Sequence, residues 1–303
     1  MTTDDFRRNS DNFCYRHPDR QSFVLCQRCL RTICPECQTP AAVGVICPEC
    51  MRDQQKSVSP AQRKAERRWS RPRAVTVADS RPIVTYAIIG VTLFFFLLQL
   101  IPGFGSTVTD ALLLWAPYLY PGLTGTFEPW RLFTVLLVHD ASSILHVGLN
   151  MLALWMIGRS LEPLLGRWRF ITLYLLSGLG GSVAVALLGF STPVVGASGA
   201  IYGLFGALLI VGRHIGANIT GIAVILGINL VITFLPLVFG GAVRVSWQAH
   251  LGGLLVGLLV AFIYTRTRSA RQRTLQIWLL AAVTAGLIGL LFVPALFPAL
   301  VFG

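Results

Sequence analysis

Val195-Gly196-Ala197-Ser198-Gly199-Ala200-Ile201-Tyr202-Gly203 sets one serine among small residues, just after the turn at Pro193 and at the start of an apolar helix. Alone, such a serine has an ordinary reading. In an apolar helix its hydroxyl bonds a carbonyl of its own backbone and does no chemistry. The chain around it decides whether Ser198 is a packing residue or a nucleophile.

Only 13% of the 303 residues are charged, about half the share of a soluble domain, and the mean hydropathy is +0.66, so most of the chain belongs in lipid. All 13 acidic residues lie at or before Glu162, which leaves Asp110, Glu128, Asp140 and Glu162 as the carboxylates within the apolar part. That scarcity counts against a coupled transporter, which needs intramembrane carboxylates or discontinuous helices in matching repeats. Residues 1–82 are polar and basic with no apolar leader, so no signal peptide is expected.

All seven cysteines fall between positions 14 and 50, in the pairs Cys14-x2-His17, Cys26-x2-Cys29, Cys34-x2-Cys37 and Cys47-x2-Cys50. Each two-residue knuckle lets two donors reach one ion, and eight donors close two tetrahedral zinc sites. Seven cysteines cannot all pair as disulfides. About fifty residues bury little core, so metal is the expected staple, structural and with no open coordination position. The pair order resembles a B-box-type zinc finger. That resemblance implies that Cys14, His17, Cys34 and Cys37 share one Zn2+, and that Cys26, Cys29, Cys47 and Cys50 share the other.

The expected domains are a double zinc-binding domain over 1–50, a basic linker over 51–82, a membrane core over 83–265, and a loop with a last span over 266–303. Seven apolar segments are predicted to cross, at about 83–101, 142–159, 168–190, 197–213, 216–239, 247–265 and 275–301. The aromatic-rich loop from Pro102 to Ala141 is too short to cross twice and reads as interfacial and partly re-entrant. Sixteen Lys and Arg residues in the segment before the first span and the loops after the second, fourth and sixth fall on one side; only Arg131 and Arg244 fall on the other. Positive-inside then puts the N-terminus in the cytoplasm and the C-terminus outside, in a multi-pass protein of the plasma membrane. Cytoplasmic thiols stay reduced, which favours metal over disulfides. The basic run before the first span fits an anionic cytoplasmic leaflet, and with few aromatics among its charges no nucleic acid is expected as a partner.

In this topology spans two, four and six run from outside to inside, each with polar residues near its outer start: His146 and Asn150, Ser198, and His250. Two to eight residues into a span is roughly 3–12 Å below the boundary. Intramembrane polar groups need partners or water, and a shared depth makes these four partners of one another. His146 and Asn150 are four apart on one helix face, as are Ser198 and Tyr202. Gly199, Gly203 and Gly206 on span four, with Gly253 and Gly257 on span six, allow the close helix approach that a short serine side chain requires.

Gly196-Ala197-Ser198-Gly199 with Tyr202, His250-x-x-Gly253-x-x-x-Gly257, His146-x3-Asn150, Trp130-Arg131 and Glu162 together resemble the rhomboid family of intramembrane serine proteases, over roughly residues 83–265. The resemblance implies an all-α polytopic fold: a six-helix bundle, here with one extra C-terminal transmembrane helix and a small zinc-binding domain in front. It implies a Ser198 nucleophile and a His250 base acting as a dyad without catalytic cofactor, Tyr202 stacked on His250, and an oxyanion site at the Ser198 N–H, between Gly196 and Gly199, helped by His146 and Asn150. The expected substrates are transmembrane proteins cut near the outer boundary, and the zinc domain reads as a docking module for a cytoplasmic protein. A proteolytically silent client-binding relative is the alternative; its mark would be loss of Ser198 or His250, and both are present. His139, ahead of span two, is left outside the expected site, and His214 reads as a solvated helix end.

Overall fold

The computed structural model describes residues 10–41, 44–57, 81–239 and 245–296. The linker residues 63–73, Arg244 and the end of the expected seventh span lie outside them. The chain divides into two compact units, Met1–Thr76 and Val77–Gly303.

The first unit holds two antiparallel hairpins, β1 (Phe13–Cys14) with β2 (His17–Gln21) and β3 (Thr39–Pro40) with β4 (Val45–Ile46), followed by helix α1 (Pro48–Ser57). Its buried cluster is Cys14, Cys26, Ile33, Cys34, Cys37, Ile46, Cys47 and Cys50. Six of those eight residues are cysteines, so apolar burial alone does not supply a core.

The second unit is helical: α2 (Ile83–Gln99), α3 (Gly105–Leu112), α4 (Ile144–Leu165), α5 (Arg167–Leu188), α6 (Ser198–His214), α7 (Thr220–Phe239), α8 (Trp247–Arg266) and α9 (Arg273–Leu290). The chain is a polytopic membrane protein in which α2 and α4 to α8 form the bundle and α9 adds a seventh helix. Among the described residues, four stretches are by length and composition long and apolar enough to cross: Ile144–Leu165, Arg167–Leu188, Trp247–Arg266 and Ala270–Leu296. The sequence leads one to expect seven full spans. α2 and α6 are the short ones, at 17 residues or about 25 Å each, which is two fewer than expected for α2 and the expected length for α6. The shortness of α6 has a physical reason. Most of its residues are buried among α4, α5 and α8, so it needs no full-length apolar exterior. At the other extreme, 67% of the crossing window of α5 is buried against 11% of that of the last stretch, which makes α5 the hub and α9 peripheral.

The loop between α2 and α4 winds through short helical turns, including α3, Ala116–Leu119, Pro121–Thr124 and Arg131–Thr134. The buried Arg131 guanidinium ties it together. Its Nη1 donates to the carbonyls of Asp110 (2.6 Å) and Leu113 (2.8 Å), its Nε pairs with Glu128, and its Cζ lies 4.4 Å from the Tyr118 ring centroid. Trp130 beside it is half exposed. Glu162 is buried at the other end of α4, where it accepts from the Val84 and Thr85 backbone N–H groups and from the Thr85 hydroxyl. A carboxylate at the unsatisfied N–H groups that open α2 satisfies both partners.

Candidate active site and metal centres

The chain reaches Ser198 along a segment that the first loop holds on both sides. Leu114 and Val194 exchange backbone hydrogen bonds (3.1 and 2.8 Å), and the Gly196 N–H donates to the Val135 carbonyl (3.0 Å). Gly196 has φ +120°, and a Cβ there would stand 3.1 Å from His146 Nε2, so both conformation and space call for glycine. Ser198 is then the first residue of α6, where backbone N–H groups have no partner within the helix.

His250 is the fourth residue of α8, whose start is capped by the Ser246 hydroxyl accepting from the Ala249 N–H. The two helices touch backbone to backbone. A Cβ on Gly253 would collide with the Gly199 carbonyl oxygen, and one on Gly257 with that of Gly203. That approach brings His250 Nε2 to 2.8 Å from Ser198 Oγ. The Tyr202 ring stacks on the imidazole at 4.0 Å between centroids and 14° between planes.

His146 is the third residue of α4. Its Nδ1 accepts the Asp140 backbone N–H at 3.2 Å, which leaves the proton of the neutral ring on Nε2, on the side of Gly196. Asn150 is buried one turn on; its Nδ2 donates to the His146 carbonyl (2.8 Å), while its Oδ1 has no partner among the described residues. Ser198, His250, Tyr202, His146, Asn150, Gly196 and Gly199 thus gather at one end of the bundle.

One residue stands differently from the sequence reading, which left it outside the site. His139 is fully buried directly behind the serine segment. Its Nε2 accepts the Ala197 N–H at 3.4 Å, and its ring centroid lies 5.2 Å from that of His146. Burial, with the His146 ring beside it, pushes its pKa down to about 3 and keeps it neutral. Asp140 accepts from the Ser142 N–H (2.9 Å) and hydroxyl (2.6 Å), bonds that hold its pKa below the usual carboxylate range. The group on the far side of His250 is Thr233 of α7, with Oγ1 2.9 Å from Nδ1. The sequence reading compared depth only along spans two, four and six. Thr233 lies near the end of the span that runs the opposite way, where the same reasoning would have found it.

In the first unit the eight donors fall into two sets, Cys14, His17, Cys34, Cys37 and Cys26, Cys29, Cys47, Cys50, with all ligand atoms of a set within 4.8 Å of one another. None of the seven cysteines forms a disulfide. Ligands of a tetrahedral zinc, at about 2.3 Å for sulfur and 2.0–2.1 Å for nitrogen, stand about 3.8 Å apart for S···S and about 3.6 Å for S···N. His17 Nδ1 lies 3.8, 3.4 and 3.5 Å from the sulfurs of Cys14, Cys34 and Cys37, and Cys29 Sγ lies 3.8 Å from Cys47 Sγ. These four edges match those of a zinc tetrahedron, so the donor sets are compatible with the ion. The Cys47 and Cys50 backbone N–H groups point at Cys26 and Cys47 Sγ (3.2 and 3.4 Å), as metal-bound thiolates require.

Residues 126–267, which include every residue of the serine–histidine cluster, match the family model of the Rhomboid domain. The chain carries a rhomboid domain. It is 35% identical over 237 residues to Rhomboid protease GluP of Bacillus subtilis (strain 168), covering 74% of this chain and 42% of that protein. RHOMBOID-like protein 1 of Arabidopsis thaliana is 39% identical over 145 residues (45% and 35% of the two chains), and Rhomboid-related protein 3 of Homo sapiens 29% over 167 residues (50% and 40%). The chain spans less than half the length of each of these relatives. All three matches are rhomboid by name, and the site geometry falls inside the matched segment.

Proposed function

We propose that this rhomboid is an intramembrane serine protease that hydrolyses transmembrane proteins near the outer membrane boundary. The observation that carries the reading is the 2.8 Å contact between His250 Nε2 and Ser198 Oγ at the start of a short, enclosed helix. His250 takes the Ser198 proton as the hydroxyl oxygen attacks the scissile carbonyl. The oxyanion of the tetrahedral intermediate meets the Ser198 N–H, the His146 Nε2–H and the Asn150 amide. Each such donor contributes about 2.7–4 kcal/mol of transition-state stabilisation. The imidazolium then protonates the leaving amine, and water repeats the sequence on the acyl enzyme. Tyr202 keeps the imidazole plane in place.

The fold agrees with this use of a serine in lipid. Ser198 opens a helix shorter than its neighbours, so it lies at the mouth of the bundle where water can reach an acyl enzyme. The Lys and Arg asymmetry supports a cytoplasmic N-terminus in the plasma membrane, with the basic linker against anionic lipid. In the first unit, Cys14, His17, Cys34 and Cys37 hold one zinc, and Cys26, Cys29, Cys47 and Cys50 the other. Bound zinc supplies cross-links and no chemistry, and the unit it folds serves as a docking module for a cytoplasmic protein.

The test is cleavage of a reporter membrane protein by the full chain in proteoliposomes, with product termini read by mass spectrometry. Cleavage inside or beside the reporter's transmembrane segment, absent in Ser198→Ala, is expected. Intact reporter across a panel of transmembrane sequences would contradict the reading.

A further inference from the structure

The His250 imidazole is engaged at both nitrogens, and its second partner comes from a helix that carries neither member of the pair. Thr233 is 2% exposed. Its Oγ1 lies 2.9 Å from His250 Nδ1, 2.8 Å from the Asn229 carbonyl one turn back on α7, and 2.8 Å from the Tyr202 hydroxyl. The Tyr202 hydroxyl also lies 3.0 Å from the Asn229 carbonyl. Three helices therefore meet at one buried hydroxyl.

Hydrogen bookkeeping narrows what that hydroxyl does. A threonine oxygen has one proton and two lone pairs, whereas the Asn229 carbonyl can only accept. With the threonine proton on that carbonyl, both lone pairs are open, one to the Tyr202 hydroxyl and one to His250 Nδ1–H. The imidazole proton is then fixed on Nδ1, and the bare Nε2 faces Ser198 as a base must. In the opposite arrangement the threonine donates to Nδ1, its bond along α7 is unmade, and Nε2 carries a proton that points at the serine. Only the first arrangement keeps the threonine's bond along α7 and leaves Nε2 bare toward Ser198.

We infer that Thr233 is a positioning residue for the Ser198–His250 pair: it accepts the Nδ1 proton of His250 and so selects the tautomer that can take the serine proton. This rests on the protease reading. The neutral hydroxyl does the orienting that a carboxylate performs in a triad, without placing a charge in the bundle. It also explains how Tyr202 acts twice, its ring on the imidazole and its hydroxyl on the residue that holds the imidazole.

The experiment uses the full chain in lipid nanodiscs with a cleavable transmembrane reporter. Thr233→Val keeps the shape and removes the hydroxyl; Thr233→Ser keeps the hydroxyl. Losing one neutral hydrogen bond that orients the base lowers kcat about tenfold, with KM within about twofold. The serine variant returns to within about twofold of wild type. In parallel, 15N spectra of histidine-labelled wild-type protein, with the His250 signal assigned by its loss in His250→Ala, should show the proton on Nδ1. Equal kcat in wild type and Thr233→Val, or equal losses in the valine and serine variants, would overturn the inference. So would a wild-type His250 protonated on Nε2, a result that stands even if Thr233→Val does not fold. A wild type that cleaves nothing would instead refute the protease reading, and the tautomer would still report on the Thr233 bond.

Discussion

The two units of this chain gather reactive side chains in opposite ways. In the first, eight donors come from one short stretch, residues 14 to 50, and six of their cysteines make up most of what is buried. In the second, Ser198 and His250 stand 52 positions apart, and His146 another 52 before Ser198. There the main core is made by other, apolar side chains. A cluster that is its own core depends on what it binds. A cluster mounted on a packed bundle can be altered one group at a time while the scaffold stands.

The largest effect that follows is metal removal. Structural zinc contributes about 10–16 kcal/mol to the folding of small domains of this kind. A strong chelator added to the full chain should release two zinc ions, one per donor set, and abolish amide exchange protection over residues 10–57. Protection in α4 to α8 should not change. Persistent protection of the first unit without metal would break the contrast. Cys34→Ala sharpens it, because it should leave about one zinc per chain.

Next comes Ser198→Ala. Loss of the nucleophile should lower reporter cleavage at least about 10⁴-fold while zinc content and thermal stability hold, since the side chain lies at a helix start and outside the packed core. A large fall in stability would show that the site is part of its scaffold after all.

The same contrast explains what could be read from the sequence. The metal donors were legible because two-residue spacing is local: a knuckle chelates wherever it folds. Which pairs share an ion came from resemblance alone, and the edge distances around His17 Nδ1 agree with it independently. The Ser198 site was legible only through topology, by counting depth along three helices of the same direction. That procedure passed over Thr233, on a helix of the opposite direction, and set aside His139, whose loop position gives no sign that its ring packs behind Ala197. Hydropathy registers apolar character but not enclosure: α6 is largely buried among its neighbours, whereas the crossing window of the last stretch is 11% buried.

A smaller effect separates the two nitrogens of His146. His146→Ala removes the Nε2 donor and should reduce cleavage about 10²-fold with little change in KM, measured on the transmembrane reporter. An unchanged rate would remove His146 from the oxyanion site and leave it as the partner of the Asp140 N–H alone. The smallest expected effect lies at the periphery. The Tyr120 hydroxyl donates to the Leu291 carbonyl at 2.8 Å, joining the first loop to the end of α9. Tyr120→Phe should cost about 1 kcal/mol in thermal unfolding and leave cleavage within about twofold. A larger loss of activity would show that the appended helix steadies the site through the loop.

The central claim, that His250 activates Ser198, is tested most directly by covalent labelling of the full chain in membranes with a fluorophosphonate probe. Wild type should label on Ser198, Ser198→Ala not at all, and His250→Ala far more slowly. Equal labelling of all three would contradict the account, because the 2.8 Å contact would then be packing and not chemistry.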